Sequence, residues 1–386
     1  MSLRSANMDV DLDLRLLGEL VGIDTDASKS FNYDEMASLL KEKIENIGGK
    51  VDVIYAKAPD GKSRPNVIGR LDFGAEKTIA LNAHYDVVPV DRTDWKRDPF
   101  KLTRVGNRMY GRGASDDKSG IAVSLFAAEN AKPTANVELV FTCDEEIGSK
   151  YGLAWVLEKH RKMIRADYAV VLDVEDCIVT GSSGVSGGTI IIKGVEHHAG
   201  MPFLGVNAVE KSLRFLLKLK KFDDVVSKYK CKYPGEMDGQ VKGRFNITMI
   251  NGGVAPNLIP GKVEIKFDLR SPPGTKVRDF QIMLINYFEK LKKEEKIDAS
   301  IKMDSTHESY ITDMDSDILK RIRKSVKEKK IHVSFGGFDG TFFSQANIPS
   351  VAYGAQNFSI HQANEYVEIN KLRKVEKEMI NLLESF

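Results

Sequence analysis

The stretch LNAHYDVVPVDRTDWKRDPFKLTRVGNRMYGRGASDDKSG, residues 81–120, decides how the rest of the chain is read. An apolar run at residues 78–81 delivers His84 and Asp86, one residue apart. In an extended strand, positions i and i+2 share a face. The Asp86 carboxylate is therefore placed beside the His84 ring, where it can fix the tautomer as carboxylates do for metal-bound histidines. Further on, Gly111-Arg112-Gly113-Ala114 turns into Asp116-Asp117-Lys118 and an apolar helical pattern, which sets a carboxylate just ahead of a helix.

Outward from this stretch the chain alternates. Residues 14–23 and 33–47 carry apolar side chains at helical spacing, the second with Asn32 as its cap and Glu35 at the box position. Residues 51–55, 66–71, 78–83, 137–143 and 168–172 read as strands, and 120–130 and 150–161 as helices. Strands alternating with helices predict an α/β layer structure with a central, mostly parallel sheet. Past the flexible Gly181-Ser182-Ser183-Gly184 the order changes to strand 189–193, helix 208–221, strands 243–250 and 263–270, helix 277–292 and strand 299–303. That βαββαβ order is the ferredoxin-like α+β signature. A helix at 317–330, a strand at 350–354 and a helix from residue 371 resume the first pattern. The expected organisation is an α/β domain of residues 1–181 and 305–386, interrupted by an inserted ferredoxin-like domain of residues 182–304.

Composition bounds the function. The chain has 386 residues, too many for one small core, and a net charge of +2, too balanced for an obligate nucleic-acid partner. No run approaches the roughly 18 apolar residues needed to cross a bilayer, and the first residues lack the apolar core of a signal peptide. Three scattered cysteines, Cys143, Cys177 and Cys231, fit a reducing cytoplasm and supply no cysteine-rich zinc site.

The acids fall where strands end. Asp144-Glu145-Glu146 closes the buried strand near residue 143, and Asp173 closes 168–172; His361 follows the last strand at some distance. Three consecutive carboxylates at a strand terminus need either a cation or full solvation. Two histidines and several acids closing separate elements of one α/β sheet are what a site for two divalent metals requires. Imidazole with carboxylate suits zinc, cobalt or manganese. One carboxylate then bridges the ions, a water becomes nucleophilic near neutral pH, and a carboxylate that is not a ligand takes its proton.

With these motifs in hand, the chain resembles the M20 metallohydrolases, a family of acetylornithine deacetylases, succinyl-diaminopimelate desuccinylases, aminoacylases and related carboxypeptidases. The resemblance rests on His84-Tyr85-Asp86-Val87-Val88-Pro89, Trp95 with Asp98-Pro99-Phe100, Tyr110 through Lys118, Glu145-Glu146, and His361 through Glu365. It implies that Asp116 bridges two ions, with His84 and Asp173 completing one and Glu146 and His361 the other. Glu175 and Asp176 lie close enough to compete with Asp173, although the run Asp167 through Asp173 favours the latter. Glu145 is implied as general base, Asp86 as the residue orienting His84, and the Asp116–Asp117 peptide as cis. Gly354-Ala355-Gln356-Asn357 departs from the glycine-rich turn usual before the last histidine.

The inserted segment resembles the family too, in Gly194 through Pro202 and Gly205-Val206-Asn207-Ala208. This implies that His198, with His197 as its competitor, stabilises an oxyanion from the partner subunit of a homodimer, the insert acting as dimerisation and lid domain. Gly252-Gly253, Asn257 through Pro260 and Asp268-Leu269-Arg270 imply that Asn257 and Arg270 contact substrate, with Gly340 and Thr341 adding backbone amides. The expected enzyme uses two divalent ions, zinc first, to remove an acyl group from a small N-acyl amino acid. The rival is a dipeptidase or carboxypeptidase with the same machinery. A more distant alternative is an inactive dimeric binding module, which a lost ligand or a missing Glu145 would mark.

Overall fold

The computed structural model describes residues 5–235 and 239–386, with side chains in the first helix from Leu14 onward. Within them the chain divides into two compact units. One comprises the chain up to Thr180, with Thr312–Ile331 and Phe338–Phe386; the other comprises Gly181–Ile311 and His332–Gly337. Among the described residues no helix is long and apolar enough to cross a membrane.

The first unit is built on a mixed sheet. Its strands run in the order Lys50–Lys57, Ser63–Leu71, Asn136–Thr142, Thr78–His84, Tyr168–Val171, Ser350–Ala352 and Ile178–Ser182. The four strands from Asn136–Thr142 to Ser350–Ala352 are mutually parallel. Their flanks are antiparallel, so the parallel character is confined to the centre. These central strands are buried almost end to end, which is why they read as continuous apolar runs rather than alternating ones. Along Thr78–His84 the side chains of Ile79, Leu81 and Ala83 enter the main core with Ile121, Leu125 and Leu372. By the two-residue period of a strand, His84 faces the other side. The helices Tyr33–Asn46, Lys118–Asn130 and Ile369–Leu383 supply much of that core. Asn32 does not cap its helix as expected: it takes φ 50°, and its amide donates to Asp24 O instead.

The second unit carries a four-stranded antiparallel sheet in the order Arg244–Gly252, Lys262–Ser271, Gly184–Lys193, Asp298–His307. In chain order this is 2-3-1-4, with helices Ala208–Leu219 and Val277–Glu295 as the two crossovers. Phe215, Leu216, Phe280, Leu284 and Phe288 from those helices pack on Ile190, Ile265 and Phe267. Its limits differ from residues 182–304. The strand Asp298–His307 shifts register between Met303 and Ser305 but continues pairing as far as His307 opposite Val185, which carries the unit past residue 304. The segment His332–Gly337 also belongs here: Ser183 N–H donates to Ser334 O and Gly336 O, and Val333 packs on Cys231 and Val241.

Candidate metal centre

The four parallel strands of the first unit end within two residues of one another. His84 pairs with Thr142, and Val171 pairs with both Asn82 and Ala352. The chain leaving each strand then turns across the sheet edge. His84 ends one strand, and Glu145 and Glu146 open the single turn Glu145–Ile147 after the next. Asp173 follows Tyr168–Val171, and Gln356 and His361 follow Ser350–Ala352. The carboxyl edge of parallel strands is where an open α/β sheet leaves room for a ligand.

His84 is buried, and its Nδ1 lies 3.0 Å from the Asp86 carbonyl oxygen and 3.4 Å from Asp86 Oδ1. A carbonyl only accepts, so Nδ1 carries a hydrogen. Burial pulls the ring's pKa down, but hydrogen bonds to Asp116 and Asp173 outweigh it and hold it well above the ordinary histidine range, so Nε2 is open to an ion only once its proton leaves. That Nε2 is 3.0 Å from Asp116 Oδ1 and 3.7 Å from Asp173 Oδ1. The second oxygen, Asp116 Oδ2, is 3.1 Å from His361 Nε2, which is also 3.1 Å from Glu146 Oε2. Asp116 therefore turns one oxygen toward each histidine. Glu145 offers a carboxylate oxygen within 4.8 Å of donor atoms on His84 and Asp173. Asp86 also fixes the turn that carries the two glutamates. Its Oδ1 accepts Glu145 N–H at 3.2 Å and its Oδ2 accepts Glu146 N–H at 3.1 Å.

This crowding perturbs Asp116, Glu145, Glu146 and Asp173. Burial, reinforced by the Asp116 charge, pushes Asp173 up to about 8. Burial and then Asp173 raise Glu145 well above the ordinary carboxylate range, and burial and Asp116 raise Glu146. For Asp116 burial pulls upward, but hydrogen bonds from His361 and His84 outweigh it and hold the carboxyl below its usual range. The same bonds from Asp116 and Glu146 raise His361 to about 10. Carboxylates forced together away from water either take protons or share a cation. Two imidazoles and four carboxylates with no thiolate are the donors that suit a pair of divalent ions, so the residues fit that group.

A supporting layer holds the donors in place, and much of it is not evident from local spacing. Glu365 is fully buried and receives four donors: Arg112 Nη1 at 2.6 Å, Gly113 N–H at 3.1 Å, Ser115 N–H at 2.8 Å and Asp116 N–H at 3.0 Å. It thus clamps the backbone that presents Asp116, and its place in the His361–Glu365 motif was the signal available for it. Asp117, joined to Asp116 by a cis peptide, caps the helix Lys118–Asn130 through Gly120 N–H. Buried Arg64 binds Asp144 at 3.0 Å, and Tyr33 OH donates to the same carboxylate, anchoring the residue before Glu145. Asp339 accepts from Ser149 Oγ at 2.6 Å, and burial pushes it up to about 6. Gly354 must be glycine: a Cβ there would lie 1.9 Å from Leu172 O.

Asp176, a rival for the place given to Asp173, is engaged by Lys371 at 2.9 Å and Lys374 at 2.7 Å, whereas Asp173 points at His84. Gly340 and Thr341 begin the short helix Gly340–Gln345, and the Thr341 N–H already donates to Phe338 O. His198, Asn257 and Arg270 lie in the second unit. There His197 and His198 pair with Ile259 and Leu258, so their side chains leave opposite faces. His198 is exposed, with Nδ1 accepting Gly200 N–H at 3.0 Å, and Asn257 O accepts from Ala199 N–H. Arg270 Nε donates to both oxygens of Asp268.

Comparison with known proteins adds an independent line. Residues 80–385 match the family model described as peptidase family M20/M25/M40. An uncharacterized metallohydrolase of Methanocaldococcus jannaschii is 30% identical over 355 residues, 84% of this chain and 84% of that protein. A succinyl-diaminopimelate desuccinylase of Nitratiruptor is 28% identical over 326 residues, 80% of this chain and 85% of that protein. Among solved structures, an M20 family metallo-carboxypeptidase from Sulfolobus solfataricus superimposes with a TM-score of 0.79. It is 22% identical, with 97% of this chain and 98% of that one covered.

Proposed function

The chain belongs to peptidase family M20/M25/M40, and from that premise we propose that it is a dimetal amidohydrolase removing the acyl group from a small N-acyl amino acid. That it is a metal-dependent hydrolase of amide or peptide bonds follows from the family and its metallohydrolase relatives. The observation that carries the dimetal reading is Asp116, one oxygen toward His84 and the other toward His361. In this reading His84 and Asp173 hold one ion, Glu146 and His361 hold the other, and Asp116 serves both. Zinc is the first choice, with cobalt or manganese as substitutes. When bound, the pair supplies Lewis acidity toward the acyl carbonyl and lowers the pKa of water.

The chain's own residues do the rest. Glu145 is the general base: it takes the proton of the attacking water and hands it to the departing amine. Its raised pKa suits a group that must hold a proton between those two steps. Asp86 keeps the His84 ring turned and holds the amides of Glu145 and Glu146, so one carboxylate sets both ligand and base. To the second unit we assign His198 as the oxyanion donor and Arg270 with Asn257 as contacts for the substrate carboxylate. These assignments rest on the motif resemblance, as does a homodimer formed through that unit. Gly340 is a further amide contact, whereas the Thr341 N–H is already held by Phe338 O. The scattered spacing of Cys143, Cys177 and Cys231 supports a cytoplasmic setting.

The desuccinylase relative favours the N-acyl amino acid over the rival dipeptidase or carboxypeptidase reading. The test is a hydrolysis panel on the metal-loaded protein, comprising acetylornithine, succinyl-diaminopimelate, acetyl-lysine, acetylmethionine and several dipeptides. Turnover of an N-acyl amino acid is expected. Turnover of dipeptides alone overturns the deacylase assignment, and no turnover with metals bound returns the binding-module alternative.

A further inference from the structure

Gln356 occupies a position between the two carboxylates on the His84 side. Its backbone is held by two bonds and its neighbour's by a third: Gln356 N–H donates to Val174 O at 3.1 Å, Lys371 Nζ donates to Gln356 O at 2.8 Å, and Asn357 N–H donates to Ser115 Oγ at 3.1 Å. The loop is thus fastened both to the segment leading from Asp173 and to the residue preceding Asp116. From there the buried side chain reaches inward. Its Nε2 donates to Asp116 Oδ1 at 3.0 Å and to Asp173 Oδ1. Carboxylate oxygens only accept when ionised, so the end of the amide that faces both is the NH2, one hydrogen for each. Those two oxygens are the same pair that approach His84 Nε2.

We infer that Gln356 is a positioning residue for the His84 side of the centre, a neutral two-pronged brace that keeps Asp116 and Asp173 converging on His84. The inference rests on the dimetal reading and deepens it. The chemistry at this position is selective. A lysine or arginine would bridge the same oxygens but carry a charge that competes with the incoming ion. A glutamate would add a carboxylate to a cluster already crowded with them and could bind the ion itself. A glycine, as in the turn usual before the last histidine, would leave the two carboxylates to be arranged by the ion alone. Only an amide donates twice without charge.

The test is calorimetric titration of the metal-free protein with Zn2+, repeated with Co2+ to record the visible spectrum of the bound ion. Wild type taking two ions supports the dimetal reading, and fewer than two overturns that reading. The brace is read separately, in single-histidine backgrounds. In a His361→Ala background, Gln356→Leu weakens the remaining ion by about 10–100-fold and alters its Co2+ spectrum. In a His84→Ala background the same change leaves the remaining ion within about 2-fold. Unchanged affinity in the His361→Ala background overturns the inference. Gln356→Met, of similar length and with no N–H donors, provides the second variant: in the His361→Ala background it is expected to weaken the ion and alter the Co2+ spectrum as Gln356→Leu does. Wild-type affinity and spectrum there overturn the brace. Thermal melting of each metal-free variant confirms that the fold is retained.

Discussion

His84 and His361 present the same Nε2 atom to the two oxygens of Asp116, yet the protein holds them differently. His84 ends a central strand, is 1% exposed, and has its Nδ1 tied to Asp86. Asp173 and Gln356 complete its surroundings. His361 sits in a loop with φ 61°, its side chain is 53% exposed, and it meets the carboxylates of Asp116 and Glu146. One half is fixed by buried neighbours, and the other rests on a half-exposed loop residue. Preorganised donors bind more tightly because less ordering remains to be done. The two ions should therefore differ in affinity and exchange rate, the His84 ion being the tighter and slower.

The largest effect should come from the general base. Glu145→Gln is expected to lower kcat by about 10²–10⁴-fold while both ions stay bound, checked by steady-state kinetics with metal analysis on the same sample. Loss of an ion instead would make Glu145 a ligand of the His84 side, where it lies within reach. Next, His84→Ala should remove the tighter ion, whereas His361→Ala should remove the weaker ion and spare the tighter one. Equal losses from the two substitutions would erase the asymmetry. Asp86→Asn should lower kcat by roughly 10-fold or more, because it disturbs the His84 ring and the Glu145 amide together. If only KM moves, Asp86 acts on substrate rather than on the site.

The smallest effect is in pH. In the metal-free protein Asp173, at about 8, holds a proton below that pH, and His361, at about 10, holds one through the neutral range. An ion must displace those protons, so uptake weakens as pH falls below about 8 and strengthens as it rises toward about 10. Titrations at pH 7 in buffers of different ionisation enthalpy should show net proton release. Absence of release would mean the donors are already free.

The sequence carried the parts of this site that are local. His84 and Asp86 are set by strand period, Asp116 by a turn ahead of a helix, and Glu145, Glu146 and Asp173 by the ends of apolar runs. What it did not carry is long-range. Nothing near Asp176 announces that Lys371 and Lys374 will engage it, leaving Asp173 to face His84. Gln356 and Glu365 act on segments far away in the chain, so their partners emerge only from the fold. The ferredoxin-like order was readable from element types because its strands are long and its helices amphipathic. The return of His332–Gly337 to that unit was not, since a six-residue segment offers no period to read.

The most direct measurement of the central claim is a crystal structure of the zinc-loaded protein with anomalous scattering recorded at the zinc edge. Two peaks about 3.5–4 Å apart on either side of the Asp116 carboxylate are predicted, the stronger one at His84. A single peak, or peaks that leave Asp116 untouched, would contradict the account.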